Sequence, residues 1–310
     1  MKRGKLFYGW VVVGAVFVVL AIGFGIVYSF GAFFQALQSE FGASRGSVSL
    51  AFSLCGFLYF SLGAVSGPVA DRVGARWMVC AGLLLVGVGL LLASRAQALW
   101  QVYATYGGCI GVGMGFAYVP AVGAVQRWFV VWRGLASGLA VSGIGVGTLA
   151  LPALSSKLID LIGWRGACVT LGILALAAGA GISWLIEDSP ARRGLLPDGV
   201  DPGSKTFPTP QTGGPEQSRP AEGSTLRQAL RSRTFWLFYA GGLLACLGLF
   251  IPFVHLTPYA RDHGLSESTG VLLLGLIGVG SLVGRFVLGG AADKLGRRAS
   301  LCAMVSLRNT

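Results

Sequence analysis

All twelve acidic residues of this 310-residue chain lie between its long apolar runs, and none lies inside one. The runs are as long as a bilayer core demands, about 20 residues each. Such a chain has few choices. In hydrocarbon every backbone N–H and C=O must find a partner within the protein, and for single runs of this length only the α-helix supplies one. The expectation is an all-α membrane protein with spans at Tyr8–Phe34, Ser47–Ala70, Trp77–Ser94, Trp100–Val125, Gly134–Leu158, Trp164–Ile186, Phe235–Tyr259 and Gly270–Ala292. A ninth span begins near Ala299, and the sequence stops inside it at Thr310. Only 12% of the residues are charged, against about 25% in soluble domains.

The net charge of +12 would suggest nucleic acid if the chain were soluble. Here it excludes that partner, because no soluble basic face exists to carry it. Basic residues instead crowd alternate loops, from Lys2, Arg3 and Lys5 through Arg72 and Arg76, Arg127 and Arg133, and Arg192 to Arg233. The intervening loops hold only Arg45, Arg95, Lys157, Arg165 and Arg261. The positive-inside rule then places the N-terminus and the basic loops in the cytoplasm. The first apolar run, Phe7 to Phe34, is far longer than the roughly 7–15-residue core of a signal peptide, so it reads as a retained span of a multi-pass plasma-membrane protein, or inner-membrane protein in a bacterium.

Glycine is abundant, at 49 residues. Pairs four apart at Gly63/Gly67, Gly111/Gly115, Gly143/Gly147 and Gly280/Gly284 predict closely approaching helices. Gly111-x-Gly113-x-Gly115 sits inside an apolar span with no strand before it, so it reads as helix packing and not as a dinucleotide loop. The six cysteines all lie in apolar segments and none forms Cys-x-x-Cys, which argues for small buried side chains over disulfides or a metal. No hydrolase or kinase motif occurs, and the sequence implies no cofactor, no metal and no enzyme activity.

One residue breaks the apolar pattern. Arg285 lies within the eighth run, eight residues before Asp293. On a helix that is about 12 Å from the loop, close to mid-bilayer. A charge there costs about 2.5–3.5 kcal/mol on insertion scales and is retained where it has a task. Its planar fork matches a carboxylate with two hydrogen bonds. Anion recognition is therefore the expected role, and a structural partner the alternative.

The chain repeats itself across Glu187–Arg233, a linker punctuated by seven prolines. Gly67-Pro-Val-Ala70-Asp71-Arg72-Val-Gly74-Ala-Arg76 returns as Gly289-Gly-Ala-Ala292-Asp293-Lys294-Leu-Gly296-Arg297-Arg298. The expected organisation is an N-terminal six-span half over 1–186, a cytoplasmic linker over 187–233, and the start of a second half over 234–310. At the position that repeats Arg285 the first half has Gly63, so the fold itself has no need of a charge there.

This repeated loop resembles the signature loop of the major facilitator superfamily. Phe7-Tyr8-Gly9-Trp10, Glu40-Phe41-Gly42-Ala-Ser44-Arg45, Tyr118-x-Pro120 and Arg127-Trp128-Phe129-x-x-x-Arg133-Gly134 are similar to its monocarboxylate and oxalate/formate exchanger branch. The resemblance implies a helical bundle of two six-span halves that rock about a central site, with an arginine of span 8 on the substrate carboxylate. Spans 10 to 12 of that pattern are missing here, which reads as a C-terminally truncated member. Tyr28 and Tyr118 are candidates to line the cavity, offering ring walls and a hydroxyl. Gly67, Asp71, Arg72, Gly74 and Arg76, with Gly289, Asp293, Lys294, Gly296, Arg297 and Arg298, are read as a conformational device and not as ligands. His255, about 20 residues into span 7, reads as an interfacial side chain, with a gate or proton site as the alternative. The expected function is alternating-access transport of a small organic mono- or dicarboxylate across the lipid bilayer, by a monomer. The alternatives are another cargo on the same fold, such as a drug or sugar, and an inactive truncated transporter.

Overall fold

The computed structural model describes residues 7–199 continuously and parts of 231–284. The regular elements among the described residues are all helical. Arg285 and the second copy of the repeated loop, Gly289 to Arg298, lie outside the described residues, as does most of the linker.

Helices α1 (Tyr8–Tyr28) and α2 (Phe30–Phe41) form one long span interrupted at Ser29. It continues past the expected edge at Phe34, to Gly42, whose left-handed backbone (φ 56°) ends it. Ser29 donates its hydroxyl back to the Gly25 carbonyl at 2.7 Å. Such back-bonding bends helices. The carbonyls of Ile26 and Val27, just before the break, also receive the Tyr106 hydroxyl at 2.9 and 3.3 Å. Helix α3 (Arg45–Val73) starts on a Ser44 side chain that accepts from the Ser47 N–H, and α4 (Ala75–Ala93) follows after the single residue Gly74. Helix α5 (Leu99–Val102), a π-helical stretch (Tyr103–Ile110) and α6 (Gly111–Trp128) make the fourth span.

Helix α7 (Arg133–Gly181) is two spans in one. At Gly163 the backbone turns to φ 72°, ψ 165°, a region open only to glycine, and the chain folds back. With that reversal the five membrane-length apolar stretches, Tyr8–Phe41, Arg45–Gly63, Ala75–Ala93, Leu99–Trp128 and Arg133–Leu185, supply the six crossings expected of the first half. Helix α8 (Ile251–Asp262) runs through Pro258.

Within this bundle α1 packs on α7, α3 on α6, and α4 lies against both α6 and α7. Lipid tails are as apolar as leucine, so association rests on close packing more than on hydrophobic burial. Glycine permits it. A methyl on Gly143 or Gly147 would collide with the carbonyls of Phe17 or Ala21. One on Gly111 would come within 2.7 Å of the Cys55 carbonyl, and one on Gly115 within 2.9 Å of Leu62. The predicted pair Gly63/Gly67 does less, since an added methyl meets only Val119 at an ordinary 3.5–3.6 Å. A methyl on Gly280 or Gly284 would meet no described atom within 4 Å beyond its own stretch of helix.

By contacts the chain groups into one compact unit, Met1–Val200 with Phe253–Thr310, and a second, Asp201–Pro252. In the second the rings of Phe235, Trp236 and Tyr239 cluster within 6.1 Å of one another.

Candidate functional site

Three spans bring aromatic rings onto one residue, Phe24. Tyr28, the last residue of α1, is 8% exposed and lies with its ring 5.8 Å from that of Phe24. Tyr118 of α6 meets the same ring edge-to-face at 5.4 Å. Tyr59 of α3 closes the group, 5.5 Å from Phe24 and 5.9 Å from Tyr118. The structure thus assembles the two tyrosines singled out from sequence, together with Phe24 and Tyr59, which sequence reading missed. The four-residue spacing of Phe24 and Tyr28 puts both on one helix face. The phenol of Tyr59 had no such cue. Tyr106 is buried against Phe30, and its hydroxyl is spent on span 1 at its break. This cluster of rings carries no charged side chain, so a cation for an anionic ligand has to come from elsewhere in the chain.

A second cluster organises the end of the bundle that carries the repeated loop. Gly74 takes φ 99°, ψ 141°, another conformation reserved for glycine, and as the residue before α4 it has no side chain to cap that helix. The cap comes from Asp188. Its Oδ1 accepts the Ala75 N–H. A methyl on Gly74 would sit 3.0 Å from Asp188 Oδ2, so the glycine also makes room for the carboxylate. Arg192 Nη1 stands 2.8 Å from that Oδ2 as an ion pair without hydrogen-bond alignment. Arg127 donates through Nε to the Asp188 carbonyl at 2.8 Å and through Nη1 to Asp71 at 3.1 Å. Arg76 reaches the Ile186 carbonyl at 3.0 Å and Glu187 at 3.5 Å. Trp128 donates its indole N–H to the Glu187 carbonyl at 2.8 Å. Arg193 forks onto Glu187 at 2.7 and 2.8 Å while lying 3.4 Å above the Tyr8 ring.

Asp71 is largely exposed and pairs with Arg127, whereas Asp188 occupies the positive end of α4. Arg72 is exposed, and Gly67 sits at ordinary packing distance from Val119. Further along, Asp198 accepts from the backbone of Val130, Val131 and Trp132 at 2.9, 2.9 and 3.3 Å, capping α7. Both capping acids fall within the segment read as linker.

The opposite end of the bundle is held by exposed ion pairs. Arg165 joins Glu40 at 2.8 Å and the Ala96 carbonyl at 3.0 Å. Arg45, the first residue of α3, forks onto Asp262, the last of α8, at 2.8 and 3.0 Å. Beside that pair lies a cavity of about 300 Å³. His255 is exposed and does not line it. The other sequence-derived candidates, Arg285 with Gly289, Asp293, Lys294, Gly296, Arg297 and Arg298, lie outside the described residues.

The comparisons agree with this architecture. A family model described as the Major Facilitator Superfamily matches residues 12–307. The MFS-type transporter pytF of Aspergillus terreus is 30% identical over 293 residues, covering 94% of this chain and 91% of its own. Monocarboxylate transporter 3 of Rattus norvegicus is 31% identical over 94% of this chain and 56% of its own length. Human monocarboxylate transporter 11 is 31% identical over 93% and 57%. The chain thus spans little more than half the length of the monocarboxylate transporters it matches. With six apolar crossings, a glycine-bound bundle and a match along nearly its whole length, the chain belongs to the Major Facilitator Superfamily, a family of multi-pass membrane transporters and not of enzymes.

Proposed function

We propose that the protein is a secondary transporter that moves a small organic mono- or dicarboxylate by alternating access. The observation that carries this reading is Arg285, a lone arginine in an acid-free apolar run of a chain whose relatives include proteins named monocarboxylate transporters. Arg285 holds the carboxylate in a two-point ion pair, and Tyr28 and Tyr118, with Tyr59, form the apolar wall against the rest of the cargo. The repeated loops, Gly67 to Arg76 and Gly289 to Arg298, govern exchange between the two closed states. The N-terminus and both loop copies face the cytoplasm, the location is the plasma membrane, or the inner membrane in a bacterium, and the protein works as a monomer.

Reconstituted full chain is expected to take up labelled oxalate, formate or lactate into proteoliposomes, and Arg285→Ala to abolish uptake. Equal uptake by both proteins would remove the arginine from the mechanism. A second reading rests on the A. terreus relative, which is matched over 91% of its own length and whose name states no cargo. On that reading the cargo is a neutral small molecule, and its uptake would be indifferent to Arg285→Ala.

A further inference from the structure

We infer that the cavity beside Arg45 and Asp262 is a vestibule that takes a small carboxylate, and that Asp262 occupies the arginine fork until the carboxylate displaces it. The pair joins residues 217 positions apart, at the starts and ends of helices that the repeat assigns to different halves. The fork is filled in parallel, Nη1 to Oδ2 at 2.8 Å and Nη2 to Oδ1 at 3.0 Å. A carboxylate ligand presents the same two oxygens at the same spacing, so it competes with Asp262 on equal chemical terms. The two side chains are 57% and 48% exposed. Exchange of partners therefore needs no stripping of water from a buried charge, which is what makes a tight internal pair hard to part.

The cavity suits the ligand in size and charge. Its volume of about 300 Å³ is at the lower bound of small-molecule sites. Phe34, Gln35, Gln38 and Arg261 line it with the pair. With Asp262 counted against one arginine, the second leaves one net positive charge, and Arg261 has no ion-pair partner among the described residues. The glutamine amides supply donors for a second polar group. Among the described residues, Arg45–Asp262 is also the one ion pair that ties the first 199 residues to the segment after 250, so a carboxylate that takes the fork unfastens that tie as it binds.

The purpose of such a vestibule rests on the transport reading above, but its chemistry is testable apart from it. Gln38→Cys is introduced into the full chain in proteoliposomes, and its labelling by a membrane-impermeant maleimide is measured against the parent protein, which carries six cysteines of its own. Oxalate is expected to protect the site in a saturable way, and oxamide, its uncharged analogue, to give no protection. Asp262→Asn frees the fork and should lower the half-protecting oxalate concentration about two- to fivefold, the range an exposed pair supports. Arg45→Gln should raise it at least as much. Unchanged protection in Asp262→Asn, equal protection in Arg45→Gln, or equal protection by oxamide would each overturn the proposal. Repeating the titration in Arg285→Gln separates the two ideas. Loss of uptake with intact protection keeps both, while intact uptake with intact protection removes Arg285 and leaves the vestibule.

Discussion

The two ends of the bundle are built differently. At the end with the repeated loop, acids meet backbone as well as arginine side chains. Asp188 caps α4, Asp198 caps α7, and the carbonyls of Leu185, Ile186, Glu187 and Asp188 are claimed by Tyr8, Arg76, Trp128 and Arg127. At the other end, side chain meets side chain in water, as in Arg45–Asp262 and Arg165–Glu40. A backbone cap fixes a helix end, because the orphaned N–H groups have no other partner. An exposed ion pair only biases a position. The first end is thus a brace within the N-terminal bundle, and the second is a seam held by solvent-exposed pairs. The alternating access proposed above would use both kinds of contact: rigid units, and weak seams between them.

The contrast presumes a bundle whose helices do not shift, and the largest expected effect tests that. Gly147→Ala drives a methyl into the Ala21 carbonyl, with backbone on both sides and no flexible side chain to yield. A loss of about 3 kcal/mol, the upper range for overpacking, is expected. Thermal unfolding of the purified protein in detergent would show it. A neutral result would mean that α1 and α7 slide freely, and the brace would lose its meaning.

Next in size is Asp188→Ala, which leaves the Ala75 N–H without its acceptor and Arg192 without its anion. The expected loss is about 2 kcal/mol, and Asp188→Asn should recover part of it, since an amide oxygen can still cap. Asp198→Ala should cost about 1 kcal/mol, as it caps from a less buried position. The same unfolding measurement ranks the two. Should Asp198→Ala prove the costlier, the brace would centre on α7 and not on the repeated loop.

How much of this was legible beforehand follows from what each residue depends on. The first six spans were readable because apolar length alone decides them, and the turn between spans 5 and 6 fell at Gly163, inside the short gap left between them. Gly74 stood out through the repeat. Asp188 did not, because its role depends on two helix ends meeting in space. A cue was present all the same. A helix that starts after glycine has no side chain of its own to cap it, so an acceptor must arrive from another segment, and an acid pair closes the sixth span at Glu187-Asp188. Tyr59 was hidden for a different reason. Aromatic residues are common in spans, and only the crossing of α3 with α1 and α6 brings this one to Phe24.

The smallest effect belongs to the opposite end, and its sign is fixed by Asp262. The Arg45 fork holds this carboxyl below the ordinary carboxylate range, with Arg45, His263 and Arg261 all adding positive charge nearby. A group whose folded value is depressed contributes its stability in full above its unfolded value and loses it as the pH falls through the folded one. Asp262→Asn should therefore unfold slightly earlier than the parent at pH 7, and the gap should close as the pH drops below the carboxylate range. Because the pair is exposed, salt near 1 M should shrink the same gap at pH 7, while leaving the loss in Asp188→Ala largely intact. If salt erased both differences alike, the two ends would be held by the same kind of force, and the division between brace and seam would fail.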